Sequence, residues 1–97
     1  MEEYKISGKE GKTVFVGVDL HRFRWHVTVR TEDSELFSGT IPGHWEVLRR
    51  LLDRYRSNLV QVVYEAGYFG FWLHDRLVAD GAHCIVTPPS LLPQQEE

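Results

Sequence analysis

Thr13-Val-Phe-Val-Gly-Val-Asp19 and Leu59-Val-Gln-Val-Val-Tyr-Glu65 are two apolar runs that each close on an acid. β-Branched residues dominate both and no proline interrupts either, so both read as strands. A carboxylate at the end of an apolar run has no obvious packing role. If the two strands lie side by side and parallel, Asp19 and Glu65 emerge at one sheet edge. Paired carboxylates there suit a hard divalent cation, which takes oxygen ligands.

Working outward, residues 1–12 are polar, carry Gly8 and Gly11, and read as a loose leader. After Asp19, Leu20-His-Arg-Phe23 is a short connection. Arg24 to Thr31 then alternates, with Trp25, Val27 and Val29 on one face and His26, Thr28 and Arg30 on the other. Glu32-Asp-Ser34 is a turn into a third strand, Glu35 to Ile41. Loops this short join antiparallel neighbours, so the first three strands form a meander.

Pro42-Gly43 ends the meander. From His44 to Ser57 the residues Trp45, Leu48, Leu51, Leu52 and Tyr55 recur at helical spacing, with Glu46–Arg50 and Arg49–Asp53 placed for i,i+4 pairing. After the Glu65 strand, a second helix is expected over Phe69–Asp80, with Phe69, Trp72, Leu73 and Leu77 inward and Gly81 as its stop. His83 to Thr87 is a last strand, halted by Pro88-Pro89. The order β-β-β-α-β-α-β describes an α/β mixed sheet. Right-handed crossovers place the fourth strand beside the first and the fifth outside it, in spatial order 3-2-1-4-5.

Composition bounds the function. Ninety-seven residues make one domain, and 42% hydrophobic with 26% charged residues is the balance of a globular chain. No apolar run approaches the ~20 residues needed to span a bilayer, and Met1-Glu-Glu-Tyr-Lys5 lacks the apolar core of a signal peptide. Cys84 is the single cysteine, without an internal disulfide partner or metal-ligand spacing, and its buried strand leaves it unreactive. These features predict a cytoplasmic protein. A net charge of −3 counts against a dedicated nucleic-acid clamp without excluding an enzyme that acts on nucleic acid.

Val16-Gly-Val-Asp-Leu-His21 resembles the opening strand of insertion-sequence transposases with a RuvC-like DEDD domain, the IS-one-ten class. Tyr64-Glu-Ala-Gly67 with the helix after it, Gly81-x-x-Cys84-Ile-Val86 and Pro88-Pro-Ser-Leu-Leu-Pro93 resemble the second half of that domain. The likeness covers residues 13–93, leaving 94–97 as a tail. It implies a ribonuclease H-like fold, DNA transposition as the activity, and DNA partners in the element ends and the target, and it admits a guiding RNA. Asp19 matches the first family acid and Glu65 the second. The other two belong to a Lys-Thr-Asp-x-x-Asp stretch, which Gln94-Gln-Glu-Glu97 does not fit. The chain is therefore expected to be the N-terminal piece of the catalytic domain, lacking its C-terminal helix.

In the complete family site, four carboxylates would hold two Mg²⁺ or Mn²⁺ ions roughly 4 Å apart to cleave and transfer DNA phosphodiesters. Asp19 and Glu65 are the catalytic and metal-ligating candidates here, with weak metal binding and no meaningful turnover expected of these residues alone. His21, Arg22 and Arg24 are candidates for contact with nucleic-acid phosphates. Bland alternatives stand beside these: Asp19 as a cap of the following loop, Glu65 paired with Arg22 or Arg24, and His21 as a solvated loop residue. Arg49, Arg50, Arg54 and Arg56 read as a solvated helix face, and Trp25, Trp45 and Trp72 as core residues or their edges, not as a base-stacking platform. A rival class, the actin-like nucleotide-binding fold, needs a glycine-rich turn after the acid, whereas Leu20-His-Arg-Phe-Arg-Trp25 is bulky. The third reading is a non-catalytic assembly module. An uncovered sheet face would then drive homo-oligomer formation.

Overall fold

The computed structural model describes residues 11–67 and 71–88, and within them the strand–helix order expected from sequence is present. β1 (Val14–Leu20), β2 (Arg24–Arg30) and β3 (Glu35–Pro42) form the meander. They are followed by α1 (Trp45–Leu52) with a 3-10 turn (Asp53–Tyr55), β4 (Val60–Glu65), α2 (Trp72–Ala79) and β5 (His83–Thr87). All five strands make one sheet in the order β3-β2-β1-β4-β5. β1 pairs antiparallel with β2 and parallel with β4, and β4 pairs parallel with β5. The expected leader up to residue 10, Phe69, the Pro89 exit and the 94–97 tail lie outside the described residues. No helix of the described residues is long and apolar enough to cross a membrane.

One sheet face is apolar and buried. Val14, Val16 and Val18 alternate with exposed Phe15, Gly17 and Asp19 along β1, while Trp25, Val27 and Val29 do the same on β2. Leu48, Leu51 and Leu52 from α1, and Leu73 and Leu77 from α2, close onto this face as a single core. The strand period of two thus faces the helical spacing of three and four.

Local chemistry sets the turns. Buried Thr31 accepts bonds on Oγ1 from the Asp33 and Ser34 amides, both at 3.2 Å, holding the β2–β3 turn. Gly81 lies at φ 96°, where its amide bonds Val78 O and the Ala82 amide bonds Leu77 O, the paired bonds that stop a helix at a left-handed glycine. Gly43 is needed for a different reason: a Cβ there would stand 2.8 Å from the Trp25 indole nitrogen and 3.1 Å from the Phe23 carbonyl carbon.

Three helix expectations are corrected. The α-helix stops at Leu52, and a 3-10 turn continues it in place of an α-helix to Ser57. A tighter turn nearly eclipses residues three apart, so Leu52 and Tyr55 reach the same core. Arg49 pairs with Asp80 at the end of α2 instead of Asp53, and Asp53 pairs with Arg56, which also reaches Asp80. Trp72 is exposed, because Leu73 and Leu77 already form the inward stripe of α2.

Gly43→Ala should cost about 1–3 kcal/mol by overpacking against the buried indole, read as a lower urea midpoint with an unchanged m-value. A second expectation concerns alkaline pH. Burial on the core side of β5 pushes the Cys84 thiol up from 9.0 to about 11. Above pH 9 the unfolded chain gives up a proton that the folded chain retains, so stability is full below that point and declines as pH rises toward 11. Tyr64, also raised, chiefly by burial, adds to the decline. Urea denaturation across this window should show a shallower decline for Cys84→Ala.

Candidate functional site

The register of the parallel pair builds the site. Val18 stands opposite Tyr64, so the next residues, Asp19 and Glu65, are level on neighbouring strands. Backbones of paired strands lie roughly 5 Å apart. Asp19 falls on the exposed side of the β1 alternation and Glu65 on the exposed side of β4. Both line one open crevice of about 330 Å³, together with Gly17, His26, Thr28 and Thr87.

The same level continues across the sheet. Asp19 pairs with His26 of β2, His26 with Thr40 of β3, and Glu65 with Thr87 of β5. A polar row, Thr40–His26–Asp19–Glu65–Thr87, therefore crosses all five strands at the carboxyl end of the parallel ones. His26 is held by hydroxyls: Nδ1 lies 3.2 Å from Thr40 Oγ1, and Nε2 lies 3.3 Å from Ser38 Oγ. Thr87 Oγ1 donates to Tyr64 O at 3.4 Å. Sequence reading missed His26 and Thr87. Alternation in β2 put His26 on the polar face, but only the pairing register shows that it stands level with Asp19.

His21 lies where it can act on the first acid, with Nε2 3.3 Å from Asp19 Oδ2. The β1–β2 connection is closed by its own backbone, the His21 amide donating to Arg24 O at 3.0 Å. Asp19 is therefore not required as the cap of that loop. Arg22 and Arg24 stand outside the crevice lining: the Arg22 guanidinium rests over the Phe23 ring, and Arg24 lines a separate recess with Phe23 and Pro42. Gly17 forms part of the crevice floor, and a Cβ there would meet nothing within 4 Å. Packing does not call for glycine at this position, and a strand-interior glycine often marks close approach by a ligand.

Two level carboxylates fit a cation of the Mg²⁺ type, which binds through one or two carboxylates and keeps several waters. Among the described residues no three His, Cys, Asp or Glu side chains gather into a group that could hold a metal ion of any kind. In comparisons with known proteins, no family model matches the chain and no curated protein matches it.

Because both acids are exposed, Asp19→Asn and Glu65→Gln should leave stability within roughly 0.5 kcal/mol of the parent. Gly17→Ala should be equally well tolerated. Thermal and urea unfolding of the three variants check this.

Proposed function

We propose that this chain carries part of a ribonuclease H-like, RuvC-like DEDD catalytic domain of the insertion-sequence transposase type, acting on DNA phosphodiesters. The observation that carries the reading is the pair of exposed acids, Asp19 and Glu65, level on adjacent parallel strands of a 3-2-1-4-5 sheet. Crevices outside the carboxyl ends of strands are favoured ligand positions in open α/β sheets. The sequence resemblance supplies the chemical class.

In this reading Asp19 is the more rigid ligand, because ladders on both sides of β1 fix its backbone. Glu65 supplies oxygen ligands from the neighbouring strand. Asp19 and Glu65 would hold a Mg²⁺ or Mn²⁺ ion, which would supply charge neutralisation at the phosphodiester. His21, with Nε2 3.3 Å from Asp19 Oδ2, would orient that carboxylate. Gly17 keeps the floor low so that a strand lies close to the acids. Two carboxylates are half of the four that the family site uses, so cation affinity is weak. The setting is cytoplasmic, where a lone Cys84 stays reduced.

Mn²⁺ titration followed by amide resonances tests the reading. Broadening should concentrate at residues 19–21 and 64–66, and Asp19→Asn should weaken it by at least roughly tenfold. A response that is uniform along the chain, or unchanged in Asp19→Asn, would retire the metal-dependent reading. The exposed side chains of Phe15, Val63 and Ile85 on the open face favour a second reading, assembly of copies of this chain. Sedimentation equilibrium should then show self-association that Val63→Lys reduces, and a concentration-independent monomer would remove it.

A further inference from the structure

The sheet face away from the helices is built as three level rungs. Register sets Thr40, His26, Asp19, Glu65 and Thr87 in the first. Two residues back along β1, Ser38, Thr28, Gly17, Val63 and Ile85 stand level in the second. Two further back, Arg30, Phe15, Gln61 and His83 form the third. The face is therefore acidic at one end, small or apolar across the middle and cationic at the other. Phe15, Val63 and Ile85 are 39%, 37% and 46% exposed on it. The acid crevice and the recess beside Phe15 and Arg30 share Gly17, Thr28 and Val63, so one trough runs from Asp19 to Arg30. Arg30 Nε donates to Thr31 O at 3.3 Å, and among the described residues the guanidinium makes no ion pair, Glu35 opposite it on β3 included.

A face with an acidic end and a cationic end complements itself once one copy is turned over. A two-fold axis along the middle rung lays each strand antiparallel over its own counterpart. Val63 then meets Val63 and Ile85 meets Ile85, which withdraws exposed apolar side chains from water. Gly17 meets Gly17 at the centre, where the missing side chains allow a close approach. The first rung of each copy covers the third rung of the other. Arg30 of the second copy arrives over His26, one strand spacing of about 4.8 Å from Asp19. An axis along the strands would instead set Asp19 and Glu65 against the same two acids, a like-charge contact that opposes docking.

We propose that two copies of this chain pack face to face in the antiparallel arrangement, with Arg30 of each reaching the Asp19 carboxylate of the other. This rests on the assembly reading and goes beyond it by fixing the orientation of the copies and giving Asp19 a cationic partner. It also makes the crevice accessible only in the monomer, so self-association regulates the site. The face spans roughly 20 by 15 Å, below the ~800 Å² per partner of a standard interface. The pair is therefore reversible and concentration-dependent.

Sedimentation equilibrium of the 97-residue chain up to about 1 mM tests this, with amide shifts followed over the same dilution series. The expected result is a monomer–dimer equilibrium whose shift changes concentrate at Gly17, Thr28 and Val63. Arg30→Glu should weaken the dimer roughly tenfold and Arg30→Gln less, because attraction is lost at two symmetric contacts. Adding Asp19→Arg to Arg30→Glu should recover most of the loss by reversing both charges. Arg50→Glu, the same charge change at an exposed position of α1, should leave the dimer unaltered. Urea unfolding of each variant confirms that the monomer is intact. A dimer as tight in Arg30→Glu as in the parent, no recovery in the double variant, or shift changes confined to the helices would overturn this arrangement while leaving assembly itself standing. A monomer at every concentration would overturn both.

Discussion

The parallel pairing of β1 with β4 is the constraint on which the rest of this structure depends. It brings together two segments far apart in the chain and sets their register from Val14↔Val60 to Val18↔Tyr64. α1 and its 3-10 turn occupy the crossover this pairing requires, and α2 repeats the arrangement between β4 and β5. A slip of one residue would turn the side chains of β4 over. Val62 and Tyr64 would leave the core, and Glu65 would face it. The burial of Val16, Val18, Val62 and Tyr64 therefore holds two carboxylates level on the opposite face.

The two ends of the sheet differ in character. At the end where β4 and β5 begin, Arg56 bonds Asp53, the Asp80 carboxylate and the Asp80 carbonyl, fastening the 3-10 turn to the end of α2. Lys12 pairs with Asp33 near the β2–β3 turn, and Asn58 donates to Lys12 O at 2.8 Å. At the other end stand Asp19, Glu65 and His21, whose arrangement does little for packing. The stapled end and the end that carries the acids are thus opposite ends of the sheet. The faces divide similarly: both helices cover one, while the other carries the polar row and the Phe15, Val63 and Ile85 side chains.

Much of this was legible in the residues, because strand alternation and helical spacing are local signals. The β-branched runs, the Thr31 to Ser34 turn and the Gly81 stop all follow from chemistry within a few residues. The departures arise where distant segments meet. Arg49 turned from Asp53 to Asp80 because the end of α2 arrives beside α1. Trp72 stayed outside because Leu73 and Leu77 filled the inward stripe first. Tyr55 reached the core through a 3-10 turn, since the space beneath it is set by the sheet.

By itself, the sequence determined the elements, their order and the apolar face of each strand; Glu65 closes β4 as expected, while Asp19 lies one residue before the end of β1, which runs on to Leu20. These follow from side-chain period and backbone preference, which act over a few residues. Only the tertiary structure decided the register that sets His26 and Thr87 level with the acids and the side of the helix on which Trp72 lies. Those relations depend on which strands pair and which surfaces compete for the core, and no local stretch of chain carries that information.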